Sequence, residues 1–104
     1  MIRGTTATVV YKFPFPVQNI EKFRMYFLQG NETLVTKTEE DCTFGIRTVS
    51  VTLTQEETYA LSSKKRLGTR SRFSFTNGRV GGTKMRYLDV YDSGGDEEIL
   101  ESED

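Results

Sequence analysis

The residues best placed to do chemistry in this 104-residue chain are its charged ones, and they are sorted by sign. Residues 64–86 hold Lys64, Lys65, Arg66, Arg70, Arg72, Arg79, Lys84 and Arg86 and no acid. Residues 92–104 hold Asp92, Asp96, Glu97, Glu98, Glu101, Glu103 and Asp104 and no base. The net charge of the whole is −1, yet residues 1–91 contain all 14 bases and the other eight of the 15 acids, a net of +6. A basic block attracts carboxylates or phosphates, and an acidic block attracts a basic surface. Arg70, Arg72, Arg79, Lys84 and Arg86 are therefore the candidate binding residues on one side. Asp96, Glu97, Glu98, Ile99 and Leu100 are those on the other, where two adjacent apolar residues among acids offer an anchor.

Catalytic chemistry finds little support. The chain has no histidine, which removes the commonest general base, zinc ligand and triad partner. Cys42 is the single cysteine, so no internal disulfide forms, and without a histidine to activate it the thiol reads as a small packing residue. Glu39-Glu40-Asp41 lacks the spaced oxygens and turn glycine of a calcium loop and reads as a solvated loop. Residues 78–82, GRVGG, resemble a phosphate loop, but no helix follows to supply a dipole, so they read as hairpin geometry. No catalytic residue, metal ligand or cofactor is assigned, and the chain is expected not to be an enzyme.

The elements that must position these charges read as strands. Residues 48–61, TVSVTLTQEETYAL, alternate Val49, Val51 and Leu53 with Thr48, Ser50 and Thr52, the period of a half-buried strand. Thr54 then precedes Glu57 by three residues, the capping-box spacing that opens a helical turn. Strand, capped turn and next strand are expected to cross between two sheets. Earlier, residues 6–13 alternate Val9, Tyr11 and Phe13 with Thr8, Val10 and Lys12, and Pro14 and Pro16 end that strand. Residues 17–22 read as a connector. Residues 23–29 place Phe23, Met25 and Phe27 on one face and Arg24, Tyr26 and Leu28 on the other, as a central or partner-contacting strand would. Gly30-Asn31 turns the chain into a third strand at residues 32–38, and residues 42–46 read as a short strand or bulge with Gly45 at the turn.

Residues 69–76, TRSRFSFT, set Ser71, Phe73 and Phe75 against Arg70, Arg72 and Ser74. Asn77-Gly78 is a strong hairpin turn. Residues 79–91 return as one last strand, interrupted at Gly81-Gly82 by a bulge or a close approach of another backbone, and Arg79, Lys84 and Arg86 are expected to lie across from Arg70 and Arg72. Phenylalanines that alternate away from the arginines weigh against single-stranded nucleic acid as the partner. Seven Phe and five Tyr carry core volume that a 36% hydrophobic content would otherwise leave thin. The expectation is an all-β, immunoglobulin-like antiparallel β-sandwich of about seven strands with one short helical turn. The sandwich would occupy residues 1–91, and residues 92–104 would form an acidic tail that lies on its own basic hairpin, on a neighbour's, or in solvent. No stretch suits a signal peptide or a membrane span.

The segments RGTTATVVYKFPF, EEDCT with TVSVTLTQEET, and FSFTNGRVGG resemble the small immunoglobulin-like proteins of tailed phages of Gram-positive hosts, among them the N-terminal domain of baseplate upper proteins. The resemblance spans roughly residues 3–91 and is closest at residues 51–58 and at Asn77-Gly78. The basic block at residues 64–72 and the acidic tail depart from that group. The resemblance implies a non-enzymatic virion structural protein of tail, baseplate or head, made in the host cytoplasm. Such a protein would pack through strand edges and termini onto other virion proteins and onto copies of itself. Two other classes stand beside it: a soluble phage-encoded module that binds or inhibits a host protein, and a single-stranded nucleic-acid-binding β domain.

Overall fold

Alternating sequence becomes strand throughout the computed structural model, which describes residues 1–92. The strands are β1 (Ala7–Lys12), β2 (Ile20–Gln29), β3 (Glu32–Thr38), β4 (Cys42–Phe44), β5 (Thr48–Leu53), β6 (Leu67–Phe75), β7 (Val80–Gly82) and β8 (Arg86–Leu88). A single helical turn, α1 (Gln55–Tyr59), follows β5, and a 3-10 turn covers Glu39–Asp41. One sheet has the order β1-β5-β4, and the other has β3-β2-β6-β7 with β8 also paired to β6. Every strand pairing in both sheets is antiparallel. The all-β antiparallel sandwich expected from the alternation is what forms.

The core lies between the sheets. Tyr11, Val49, Val51 and Leu53 face it from the first sheet, and Phe23, Met25, Phe27, Leu67 and Phe73 from the second. At one end the rings of Phe13, Phe15, Phe23, Phe44, Phe73 and Phe75 interlock, with Phe13 and Phe73 edge to face at 5.7 Å. This geometry suits the ring quadrupoles and fills the volume that aliphatic side chains supply elsewhere. Tyr11 Oη crosses the core to donate to Thr69 O at 2.9 Å, which satisfies a buried hydroxyl and ties one sheet to the other.

The crossover from β5 to β6 is built as its local sequence dictates. Glu57 N–H donates to Thr54 Oγ1 at 3.1 Å, and Thr54 N–H donates to Glu57 Oε1 at 2.8 Å. The same Glu57 oxygen accepts from Lys37 Nζ at 2.8 Å, so the cap also joins β3 to the turn. Beyond α1, Gln29 closes the link into β6. Its side-chain amide donates to Ser62 O and Lys65 O, and its carbonyl accepts from Ser62 N–H.

Three expectations need correction. The connector at residues 17–22 is shorter than expected, because β2 already begins at Ile20. The acids Glu39-Glu40-Asp41 are a 3-10 turn rather than a loop, solvated as expected at Glu40 and Asp41, with Asp41 accepting from Thr38 N–H at 2.9 Å. The last strand is two strands, which gives eight among the described residues, and Gly81-Gly82 lie within β7, where Gly82 makes the close backbone approach that was one of the two readings of this pair. A Cβ on Gly81 would lie 2.6 Å from the Phe73 ring and one on Gly82 3.2 Å from Ser71 O, so these glycines let β7 sit tightly on β6. The break comes just after them. Thr83 N–H donates to Ser71 O at 2.9 Å, and Ser71 N–H donates to Thr83 Oγ1 at 2.8 Å in place of a carbonyl. The ladder resumes one residue out of phase: Arg72 pairs with Gly82, but Thr69 pairs with Arg86. An insertion of one residue sends every later side chain to the opposite face.

Candidate functional site: an arginine and tyrosine face

The outward face of the β3-β2-β6-β7/β8 sheet follows from register, since directly opposed residues share a face. Tyr87, Gly68 and Leu28 make one row. Arg70 and Tyr26 make the next, Gly82, Arg72 and Arg24 the third, and Val80, Ser74 and Lys22 the fourth. Arg70, Arg72 and Lys22 are exposed, and so is Tyr87 at 55%. Val80 stands out at 68% exposure, bordered by Lys22, Arg24 and Arg72 around a shallow depression of about 220 Å³.

The cations on this face are arranged over rings. The Arg70 guanidinium lies 5.3 Å from the centre of Tyr26, and that of Arg66 lies 4.8 Å from Tyr87. Such stacking holds a guanidinium flat while leaving its edge free to donate. Arg24 and Arg72 oppose one another directly, a like-charge pair that destabilises a sheet. Glu39 offsets it, with Arg24 Nη1 donating to Glu39 Oε1 at 2.9 Å. The Phe23 N–H, and beside it the Arg24 guanidinium, hold the Glu39 carboxyl below its ordinary value. Arg70 and Arg72 pair with no carboxylate among the described residues, and Arg66 meets Asp89 only at 4.0 Å. A surface pair that long contributes little. The face therefore presents fork donors and apolar ring area. Cys42 is elsewhere: burial, then the nearby Asp41 and Glu39, push its thiol up to about 11, which keeps it protonated and unreactive at neutral pH.

The sequence-predicted residues divide. Arg70 and Arg72 share the outward face. Arg79 is exposed in the turn after β6, where Phe75 N–H donates to Arg79 O and Gly78 takes φ +87°, and Lys84 is exposed in the segment before β8. Arg86 does not join them. The one-residue shift after Gly82 places it opposite Thr69, on the core side, with its guanidinium 5.3 Å from the Tyr11 ring. Asp96, Glu97, Glu98, Ile99 and Leu100 lie outside the described residues. Asp92, assigned by sequence to the tail, is tied to the sandwich by Arg3 Nη1 and Ser63 Oγ, both at 2.9 Å. Tyr26, Tyr87, Arg24 and Lys22 were missed as site residues. The one available sign was the mixed second face of residues 23–29, and register was needed to bring it against Arg70 and Arg72.

No family model matches the chain, and no curated protein matches it. Among solved structures, the V domain of amphioxus IgVJ-C2 is similar at a TM-score of 0.37 and 10% identity, over 86% of this chain and 96% of that one. Nothing about this chain is drawn from that likeness.

Proposed function

We propose that this chain is a non-enzymatic structural protein of a bacteriophage particle that assembles by setting the outward face of its five-stranded sheet against an acidic protein surface. The observation that carries the binding face is the exposed pair Arg70 and Arg72, flanked by Tyr26 and Tyr87 and unmatched by any described carboxylate. Arginine forks match carboxylates in two-point contacts, and arginine and tyrosine are the residue types that anchor protein interfaces. The particle is supported by the resemblance of residues 3–91 to small phage proteins.

A protein partner is favoured over single-stranded nucleic acid by the rings themselves. Tyr26 and Tyr87 already carry Arg70 and Arg66 over their faces, so they are not open platforms for bases. Mass spectrometry of purified particles tests the proposal. The chain is expected in a fixed ratio to the other particle proteins. Its absence from particles would overturn the reading. Salt-sensitive retention on single-stranded DNA would then favour the nucleic-acid class, and a stable complex with a host protein would favour the binding-module class.

A further inference from the structure

β1 is the edge strand of its sheet, and no strand among the described residues covers its outer side. Phe13 N–H donates to Arg47 O, so the odd residues of β1 bond to β5, and the N–H and C=O groups of Thr8, Val10 and Lys12 point outward. All three residues are exposed. β1 keeps register with β5 over its six residues without a bulge, whereas the pairing of β3, an edge of the other sheet, slips at Phe27-Leu28. A long, regular edge is a template for another strand. We propose that two copies of this chain join through β1, antiparallel about a two-fold axis at Val10, so that the β1-β5-β4 sheet of one copy runs on into that of the other.

Register is the first support. With Val10 opposite the second copy's Val10 and Thr8 opposite its Lys12, all three outward donors of each copy meet a carbonyl of the other. A slip one way opposes Val10 with Lys12 and sets Thr8 against Pro14, which has no N–H to give. A further slip opposes Lys12 with Lys12, a like-charge pair. A slip the other way sets Lys12 against Thr6, outside the strand. Val10, 52% exposed in one chain, is covered at the axis by its own counterpart. Such a contact is self-complementary and closes at two copies. Charge is the second support. A groove of about 450 Å³ lies between residues 7–10 and Leu88, Asp89 and Tyr91. The two-fold sets the second copy's Tyr11 opposite Val9, beside this groove, and Arg86 lies over Tyr11. Each copy's Arg86 therefore approaches the other's Asp89. Within one chain neither is well matched: Asp89 meets Arg66 at 4.0 Å, and Arg86 pairs with no carboxylate among the described residues. This edge belongs to the opposite sheet from Arg70 and Arg72, so a dimer leaves the arginine and tyrosine face open to a further partner.

Sedimentation of the full chain at concentrations up to about 1 mM is expected to show a dimer. Val10→Pro, which removes no bond to β5, is expected to abolish the dimer while the monomer keeps its Tm. Asp89→Arg is expected to weaken association at least about fivefold, and Asp89→Arg with Arg86→Glu to restore it. Val10→Cys, in the chain with Cys42→Ala, is expected to crosslink to its own counterpart on mild oxidation. Thr8→Cys is expected not to, because in this register the two positions stand about 14 Å apart. A monomer at every concentration would overturn the inference. Hydrogen exchange then tells what takes the edge: protected amides at Thr8, Val10 and Lys12 mean another stretch of the same chain, and open ones leave it to a strand of a different protein. A dimer that survives Val10→Pro, or that crosslinks at Thr8→Cys as readily as at Val10→Cys, would also overturn it.

Discussion

Ser71 is fully buried, and its N–H is satisfied by the side chain of Thr83 rather than by a backbone carbonyl. Thr83→Val keeps the shape and removes the acceptor. It is expected to cost about 2 kcal/mol, because a buried N–H left unpaired loses its hydration without return. Thermal unfolding would show this as a fall of roughly 10 °C in Tm for a domain of this size. A second test concerns Glu57. Burial pushes its carboxyl up, but the bonds from Lys37 Nζ and Thr54 N–H outweigh that, and the net shift is downward from the ordinary 4.5. A lowered folded value means that its contribution is complete above about pH 4.5 and is lost as the pH falls through the folded value. Glu39, Asp41 and Asp92 are shifted in the same direction, by hydrogen bonds from Phe23 N–H, Thr38 N–H and Arg3 in turn. Denaturant melts are expected to show flat stability from pH 7 to 5 and a decline below that. Glu57→Gln can still cap the turn, so its loss of about 1 kcal/mol at pH 7 is expected to vanish in acid, where the wild-type carboxyl is itself neutral.

Strand phase fixes which backbone groups of β1 face its free edge. Phe13 N–H donates to Arg47 O, so the odd residues of β1 bond to β5, and the N–H groups of Thr8, Val10 and Lys12 point to the open edge. Val10→Pro removes no ladder bond, whereas Val9→Pro removes one and leaves a carbonyl of β5 unmatched. Val9→Pro is expected to lose about 2 kcal/mol more than Val10→Pro, as read from the two unfolding midpoints. Elements like β1 and β5 were legible because their alternation is local, and the Thr54-to-Glu57 cap was legible because its two bonds close within four residues. The break between β7 and β8 was not. It depends on a hydroxyl of Thr83 meeting an N–H twelve residues earlier, and nothing in the spacing of residues 79–91 announces that meeting. The one-residue shift that follows is why Arg86 turned from an expected neighbour of Arg70 into a cover for Tyr11.

At the scale of the whole molecule, the two sheets have different outer surfaces. The face of the β1-β5-β4 sheet carries the small polar side chains Thr8, Thr52 and Thr43 with Val10 and Lys12, while the other sheet gathers arginines and tyrosines. The charge sorting behind this was plain in composition. The tyrosines were present too, but only the pairing of Tyr26 with Arg70 and of Tyr87 with Gly68 turns scattered residues into a face. The proposed assembly therefore depends on Arg70 and Arg72 acting together and outward, where no described acid holds them. Charge reversal at both sites, Arg70→Glu with Arg72→Glu, changes that face without touching the core. The direct measurement is the amount of the doubly reversed full-length chain in purified particles relative to wild type, with Tm checked in parallel. A loss of at least about tenfold at unchanged Tm is expected, since two charge-assisted contacts of this kind are worth well over 1.4 kcal/mol together. Incorporation of the reversed chain at the wild-type ratio would contradict the account.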